Sequence, residues 1–445
     1  MSCHGNNATP PGPAEAPGAD AIDPASVASD LGRRGPDPRL TRILPALDAP
    51  FFQAGLAGYS DAAMRIVARR HGAPLCVTEA LLDRMLLGGG RGFDKADLAR
   101  RDADLLADNL PHGHEDHPLV GQVIGSDPDE MAAAALKMVE QGGRGPREYR
   151  DLAYGDGTLP AHADTRWNPG PSEPGAAVSS APSQAPRQTF AAIDVNLACP
   201  VKKIDRKSRG GHWLTEPDGA VAILKAVRAA VPAEIPCSVK LRRAYDDTPD
   251  MALRFERVFA AAYELGYAWT TVHARTVEQR YVGPSRWTFL RDLCARHPDK
   301  VVFGSGDVWS VHDIFRMIAY TGVAAVSVAR GAIGNPWIFR QAREMLAGRP
   351  PSAPTLAEQR AALRHHFDLS VALHGEHHAA RMMRKFGIKF AQHHPTPDAV
   401  KARMIGVAGT ADWLAVLDEF YPPDGEPTPA SGLGPPAQTV PVRAG

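Results

Sequence analysis

The chain has 445 residues, and 50 basic against 50 acidic side chains give a formal net charge of zero. That length allows two or three average domains or one large α/β barrel with attachments, while neutrality excludes binding a polyanion through global charge and leaves only local basic patches. No apolar run approaches the roughly 18 residues a bilayer span needs, the N-terminus lacks a signal-peptide pattern, and five scattered cysteines without a C-x-x-C pair point to a reducing cytoplasm.

Residues 1–40 are dominated by Pro, Gly, Ala and Asp and read as a disordered leader. Phe51-Phe-Gln-Ala54 is the first strand, followed by Gly55, Gly58 and a helix that Ser60 or Asp61 can cap. Leu75–Thr78 is a second strand with Glu79 at its end, and Leu119–Ile124 a third. Asp127-Pro-Asp-Glu opens an alanine-rich helix with Pro128 in its first turn. Residues 141–188, rich in Gly, Pro, Ser and Arg, read as an irregular insertion between that helix and the next strand.

A regular alternation then resumes. Strands are expected over Ala191–Asn196, Cys237–Leu241, Trp269–His273, Val301–Gly304 and Ala324–Val328, with helical segments between and after them. Eight short apolar strands alternating with helices imply parallel βαβ units. Residues 44–350 therefore read as a (β/α)8 TIM barrel. A doubly wound sheet is the structural alternative, but no G-x-G-x-x-G follows the first strand. Residues 355–420 read as a small all-helical C-terminal domain, and 421–445 as a disordered tail.

Barrels collect catalytic and ligand groups at the C-terminal ends of their strands. Those positions hold Gly55–Ala57, Glu79, Gln122, Asn196 with Cys199, Lys240 with Arg242, His273 with Arg275, Ser305-Gly306-Asp307 and Ala329-Arg330. Glycines after the last two strands, beside Arg330, form a phosphate-binding pattern. Lys240, at the end of an apolar strand, needs an anionic partner. A flavin ring, whose reduction places negative charge on its N1–C2=O edge, fits; a barrel carboxylate such as Glu79 is the alternative. Cys199 follows a strand end among basic residues, unlike Cys76, Cys237 and Cys294, which read as small buried hydrophobes. A thiol with an ordinary pKa of about 8.5 serves as either general acid or nucleophile, and the residues alone leave both open. Lys202, Lys203, Arg206, Lys207 and Arg209 make one basic run, and Arg381, Arg384, Lys385 and Lys389 a second in the helical domain. Each alone reads as a solvated face; flanking one mouth, together they suit a polyanion. The pairs His377-His378 and His393-His394 fit helix faces better than a zinc site, and no metal is expected.

These motifs resemble those of the tRNA-dihydrouridine synthases, from about Ala54 to Phe339 and more loosely to His394. Ala54-Gly-Leu-Ala-Gly-Tyr-Ser-Asp61 resembles the family's first-strand signature, and Asp194-Val-Asn-Leu-Ala-Cys-Pro-Val-Lys-Lys203 its D-x-N-x-G-C-P-x-x-K. Val239-Lys-Leu-Arg242, Val272-His-Ala-Arg-Thr276 with Tyr281 and Gly283, Gly304–Asp307 and Arg330–Trp337 follow in the family's order. Gly55 stands where the family has proline, Ala198 and Ala329 where it has glycine, Ser305 where it has asparagine, and Trp213 where it has a small residue.

The resemblance implies FMN held by the residues at Gly55, Leu56, Ala57, Gln122, Lys240, His273, Ser305, Gly306, Asp307, Ala329 and Arg330, with NADPH as its reductant. It implies that a specific uridine of tRNA is reduced to 5,6-dihydrouridine in the cytoplasm, by a monomer with no membrane and no metal. Hydride would pass from flavin N5 to uracil C6 while Cys199, as general acid, protonates C5. Asn196 would contact the uracil, with Lys202, Lys203, Arg242, Arg275, Arg381, Arg384 and Lys385 as further substrate contacts. An FMN barrel acting on a free pyrimidine such as dihydroorotate, and a non-catalytic RNA-binding barrel, are the alternatives.

Overall fold

The structure, a computed structural model, describes residues 15–88, 115–140, 146–155, 190–201 and 209–423. Eight apolar runs become the strands β1 (Phe51–Gln53), β2 (Cys76–Val77), β3 (Leu119–Ile124), β4 (Ala192–Leu197), β5 (Cys237–Arg242), β6 (Trp269–His273), β7 (Val302–Ser305) and β8 (Ala325–Val328). Neighbouring strands pair in parallel around the ring, β1 also meets β8, and β2 meets β3, so the sheet closes as the alternation predicted. Closure covers both sheet faces, which is why nearly every strand residue is buried and the strands show apolar runs instead of polar alternation. A further short strand, Leu81–Leu82, pairs with the end of β3.

The connecting helices begin where the sequence supplies caps. Asp61 accepts a hydrogen bond from the Met64 N–H, and Ser310 and Asp313 form a capping box. The register is what matters for the site. Gln122 of β3 lies beside Asp194 of β4, which lies beside Ser238 of β5. Two residues further up, Asn196 is the neighbour of Lys240, and Arg242 is the neighbour of His273. Because side chains alternate along a strand, Asp194 and Asn196 share one face.

Much of the stretch expected to be a disordered leader is ordered and packs on the barrel. Composition misleads here: residues 24–34 form a helix capped by Asp23, packed against the helices Val311–Thr321 and Trp337–Leu346. A second helix, Pro38–Ile43, places Leu40, Ile43, Leu44 and Leu47 in one apolar cluster with Phe52, Trp269 and Phe303. Ala28 and Leu40, both fully buried, lie within the stretch whose Pro/Gly-rich average suggests disorder, because burial depends on where apolar residues land and not on their mean frequency. Within the irregular insertion, Pro146–Tyr154 is helical; the remainder, residues 141–145 and 156–188, lies outside the described residues. The same holds for residues 1–14 and 424–445.

Beyond the barrel, helices span Leu356–His374, Glu376–Phe390, Pro397–Ile405 and Thr410–Phe420. The first of these packs on the helix Ala62–Arg70, and His374 bonds Asp61 at 3.0 Å. Gly334 meets the second: with φ at +69° and Lys389 atoms 2.6 Å from where a Cβ would stand, only glycine permits this approach. No helix among the described residues is long and apolar enough to cross a membrane.

Candidate active site

Above the apolar floor, the barrel interior changes character within one residue layer. Phe52, Trp269 and Phe303 face a cavity also lined by Gln122, Asp194 and Lys240. Asp194 is buried at 4 % exposure and accepts hydrogen bonds from Ser238 Oγ at 2.5 Å and Gln122 Nε2 at 2.7 Å. Burial raises its pKa, opposed by those two bonds and by Lys240. Gln122 Oε1 in turn accepts from Asn196 Nδ2 at 2.7 Å, and Asn196 Oδ1 accepts from the backbone N–H groups of Ala198 at 3.0 Å and Cys199 at 3.1 Å.

Cys199 is thereby held on a turn that leaves its side chain half-buried. Its neighbours fix it from three further directions. Arg242 Nε donates to the Ala198 carbonyl at 3.0 Å, Gly211 N–H donates to the Cys199 carbonyl at 3.1 Å, and Gly210 passes at φ +58° with its missing Cβ 2.9 Å from Cys199 Cβ. Ala198 is tolerated because its backbone does not enter the left-handed region.

Lys240 is half-buried, and none of the described residues forms an ion pair with its ammonium. Burial lowers its pKa; Asp194, and not Glu79, is the carboxylate that counters this. Across the mouth, burial and then Arg242, Arg275, Lys240 and Arg330 push the His273 imidazole well below its ordinary range, so the ring is neutral. Its Nδ1 faces the Arg275 N–H at 3.2 Å, which leaves Nε2 as the protonated nitrogen.

The β7 and β8 exits supply the third part. Gly306 has φ +118°, and a Cβ there would fall 2.2 Å from Ser285 Oγ. At Gly331 a Cβ would meet the Val308 carbonyl at 2.4 Å. Arg330 stands over Trp309 at 4.5 Å and Tyr281 at 5.1 Å, with Asp307 3.5 Å away. Two buried donors in this corner, Arg275 Nη1 and Ser285 Oγ, have no hydrogen-bond partner among the described residues. Buried donors beside glycine-only backbone and a part-exposed arginine suit an anion.

Several expected contacts have other roles. Arg275 is fully buried and grips Asp307 through Nη2 at 2.7 and 2.8 Å, so both order the β6 and β7 exits. Arg242, 2 % exposed, also donates to the Thr276 carbonyl at 2.8 Å and the Arg280 carbonyl at 2.7 Å; it ties loops together where a substrate contact was expected. Lys385 bonds the Gly58 carbonyl and lies 4.5 Å from the Tyr59 ring centre, docking its helix on the barrel. Arg384 caps the Ile405 carbonyl at 3.2 Å, whereas Arg381 is exposed. Lys202 and Lys203 lie outside the described residues. Trp213 does not stand in the mouth. It is 7 % exposed, donates to the Gly125 carbonyl at 3.3 Å and packs where a Cβ on Gly219 would collide. Gly55 departs from proline because a Cβ there would lie 2.2 Å from the Thr78 carbonyl.

Asp194 and Asp83 were missed by sequence reasoning. For Asp194 the signal was present: a carboxylate inside an apolar strand must have partners. For Asp83 none was, since apart from the adjacent Arg84 N–H at 2.7 Å its partners, Ser126 N–H at 3.3 Å and Arg209 at 3.8 Å, come from distant segments.

A closed α/β barrel with a thiol, a cation and an anion cradle around one mouth defines an enzyme of the (β/α)8 class. The family model described as Dihydrouridine synthase (Dus) matches residues 170–420, more than half of the chain. The chain belongs to the dihydrouridine synthase family, and is an oxidoreductase of the flavin-dependent class acting on tRNA. It is 28 % identical over 383 residues to a probable tRNA-dihydrouridine synthase of Treponema pallidum, covering 85 % of this chain and 94 % of that one. It is also 28 % identical to a tRNA-dihydrouridine synthase B of Shewanella oneidensis, covering 75 % and 83 %. Among solved structures, the old yellow enzyme from Trypanosoma cruzi aligns over 68 % of this chain and 92 % of that one at 12 % identity. The TM-score of that alignment is 0.38.

Proposed function

We propose that the chain reduces a specific uridine of tRNA to 5,6-dihydrouridine, using FMN and NADPH, with Cys199 as general acid. The observation that carries this reading is the half-buried thiol held beside a lysine that forms no ion pair among the described residues, in the barrel mouth. When bound and reduced, the flavin would supply a hydride for uracil C6. Cys199 donates the proton that C5 then needs; a thiol suits this because it is protonated at neutral pH unless its surroundings lower its pKa. Its turn, clamped by Asn196, Arg242 and Gly211, keeps the sulfur at one side of the cavity. Lys240 offers its ammonium to negative charge on the ring edge, and the neutral His273 offers a ring N–H. Arg330, Arg275 Nη1 and the backbone around Gly306 and Gly331 would hold the phosphate. Gln122 keeps one N–H for the same ring, the other being spent on Asp194. The target base must leave its stack to enter such a mouth, and the exposed Arg381 lies on the helical domain we assign to tRNA binding.

The test is chemical mapping of dihydrouridine in total RNA from a strain lacking the chain, with purified protein assayed for bound FMN and NADPH oxidation. Loss of dihydrouridine at one tRNA position, restored by the wild-type chain, is expected. Unchanged tRNA with loss of a ribosomal dihydrouridine would move the substrate to another RNA, and a colourless, flavin-free protein would refute the reading.

A further inference from the structure

We infer that Asp194 is a positioning residue that sets the polarity of two side-chain amides and, through them, holds the Cys199 turn. The inference rests on the proposed role of Cys199 as proton donor. Its physical content is directional. An ionised carboxylate only accepts hydrogen bonds, so Gln122 must present its NH2 group to Asp194 and its oxygen to Asn196. Asn196 must then present its NH2 group to Gln122, which frees its oxygen for the N–H groups of Ala198 and Cys199. With the opposite amide orientation, an NH2 group would face two backbone N–H donors and the turn would lose its bonds.

Register makes the chain of contacts possible, because Ser238, Asp194 and Gln122 are direct neighbours across β5, β4 and β3. Ser238 Oγ holds the second carboxylate oxygen at 2.5 Å, leaving Asp194 one orientation. The arrangement also limits what Asn196 shows to a substrate. Its oxygen already accepts two N–H groups, so only its remaining N–H is free, and that group recognises a carbonyl and not an amine. A uracil presents two carbonyls; cytosine replaces one with an amine. Asp194 thus contributes to base choice without touching the base.

The experiment reads the thiol and not turnover, so it stands whether or not tRNA is reduced. In the purified full-length, flavin-loaded protein, alkylation of Cys199 by iodoacetamide is followed by peptide mapping. In Asp194→Asn the new amide keeps its oxygen on Ser238, offers an NH2 group to Gln122 and reverses the polarity. Alkylation is expected to quicken roughly fivefold or more, the order set by losing a net hydrogen bond. Adding Gln122→Glu restores an acceptor for both Asn196 and the amide introduced at position 194, and is expected to return the rate to within about twofold of wild type. Asp194→Asn with Asn196→Asp does the same by another route, since a carboxylate at position 196 accepts from both backbone N–H groups in either orientation. A folded Asp194→Asn protein alkylated at the wild-type rate would overturn the inference. So would double variants no closer to wild type than the single one. If Asp194→Asn alone fails to fold, folding of both double variants supports the inference and their failure overturns it.

Discussion

The two ends of this barrel are built on opposite principles. At the floor, Leu40, Ile43, Leu44 and Leu47 meet Phe52, Trp269 and Phe303 in one apolar cluster. At the mouth, a carboxylate, a lysine, two amides, a histidine and three arginines share a similar cross-section, several of them buried. The floor is held by transfer of apolar surface from water, which tolerates variation in shape. The mouth is held by directional bonds, each of which leaves an orphan when one partner goes. Stability and chemistry are therefore separable along one axis, and the contrast can be tested from both sides.

The largest expected effect is at the mouth. Cys199→Ala should lower RNA reduction by about 10²–10⁴-fold, the range for losing a general acid, while flavin binding, NADPH oxidation and Tm stay as in wild type. Full retention of RNA reduction would remove Cys199 from the mechanism. The mirror experiment is at the floor. Leu47→Ala, at a fully buried position, should cost about 2–5 kcal/mol in urea unfolding, with the folded fraction turning over normally. A loss of turnover without loss of stability would show that floor and mouth are coupled.

Smaller and more specific is a pH effect behind the Cys199 turn. Burial, partly offset by the Arg84 N–H and by Arg209, pushes the Asp83 carboxyl up to about 6 from its ordinary value of 3.8. The folded state then holds this proton more tightly than the unfolded chain, so the contribution to stability falls as pH rises from about 4 to about 6. Going from about pH 7 to about pH 5, wild type should gain about 1.3 kcal/mol relative to Asp83→Asn in paired urea titrations. Identical pH dependence would show that the site does not titrate in this range. The smallest effect belongs to the helical domain: Arg381→Ala should weaken tRNA binding and reduce the slope of log K against log salt by about 1. Filter binding across a salt series measures it, and an unchanged slope would remove Arg381 from the RNA surface.

Much of this arrangement is legible in the residues alone. The alternation of apolar runs and helical segments announces a closed parallel barrel, because only a sheet covered on both faces tolerates such strands. The glycines at 306 and 331 and the thiol at 199 are also readable, since their positions at strand ends carry meaning in any barrel. Charge is less legible. Arg242, Arg275 and Lys385 look like substrate contacts from their charge and position, yet they bond carbonyls or a carboxylate within the protein. A basic residue in a sequence does not reveal its partner, because the partner comes from elsewhere in the chain. Trp213 shows the same limit: its size is visible, but not that it turns toward Gly125 and Gly219 and away from the mouth.

Periodicity and turn chemistry act over a few residues, so the barrel, its strand ends and the position of the Cys199 thiol at one of them are already legible in the order of the amino acids. It took the folded chain to show that residues 24–47 build the outer wall and floor, and that Asp194 bonds Gln122, which in turn bonds Asn196. Both depend on register and closure, which bring together residues many tens of positions apart. Where the thiol sits, at the end of β4, is written locally; how it is held is written across three strands.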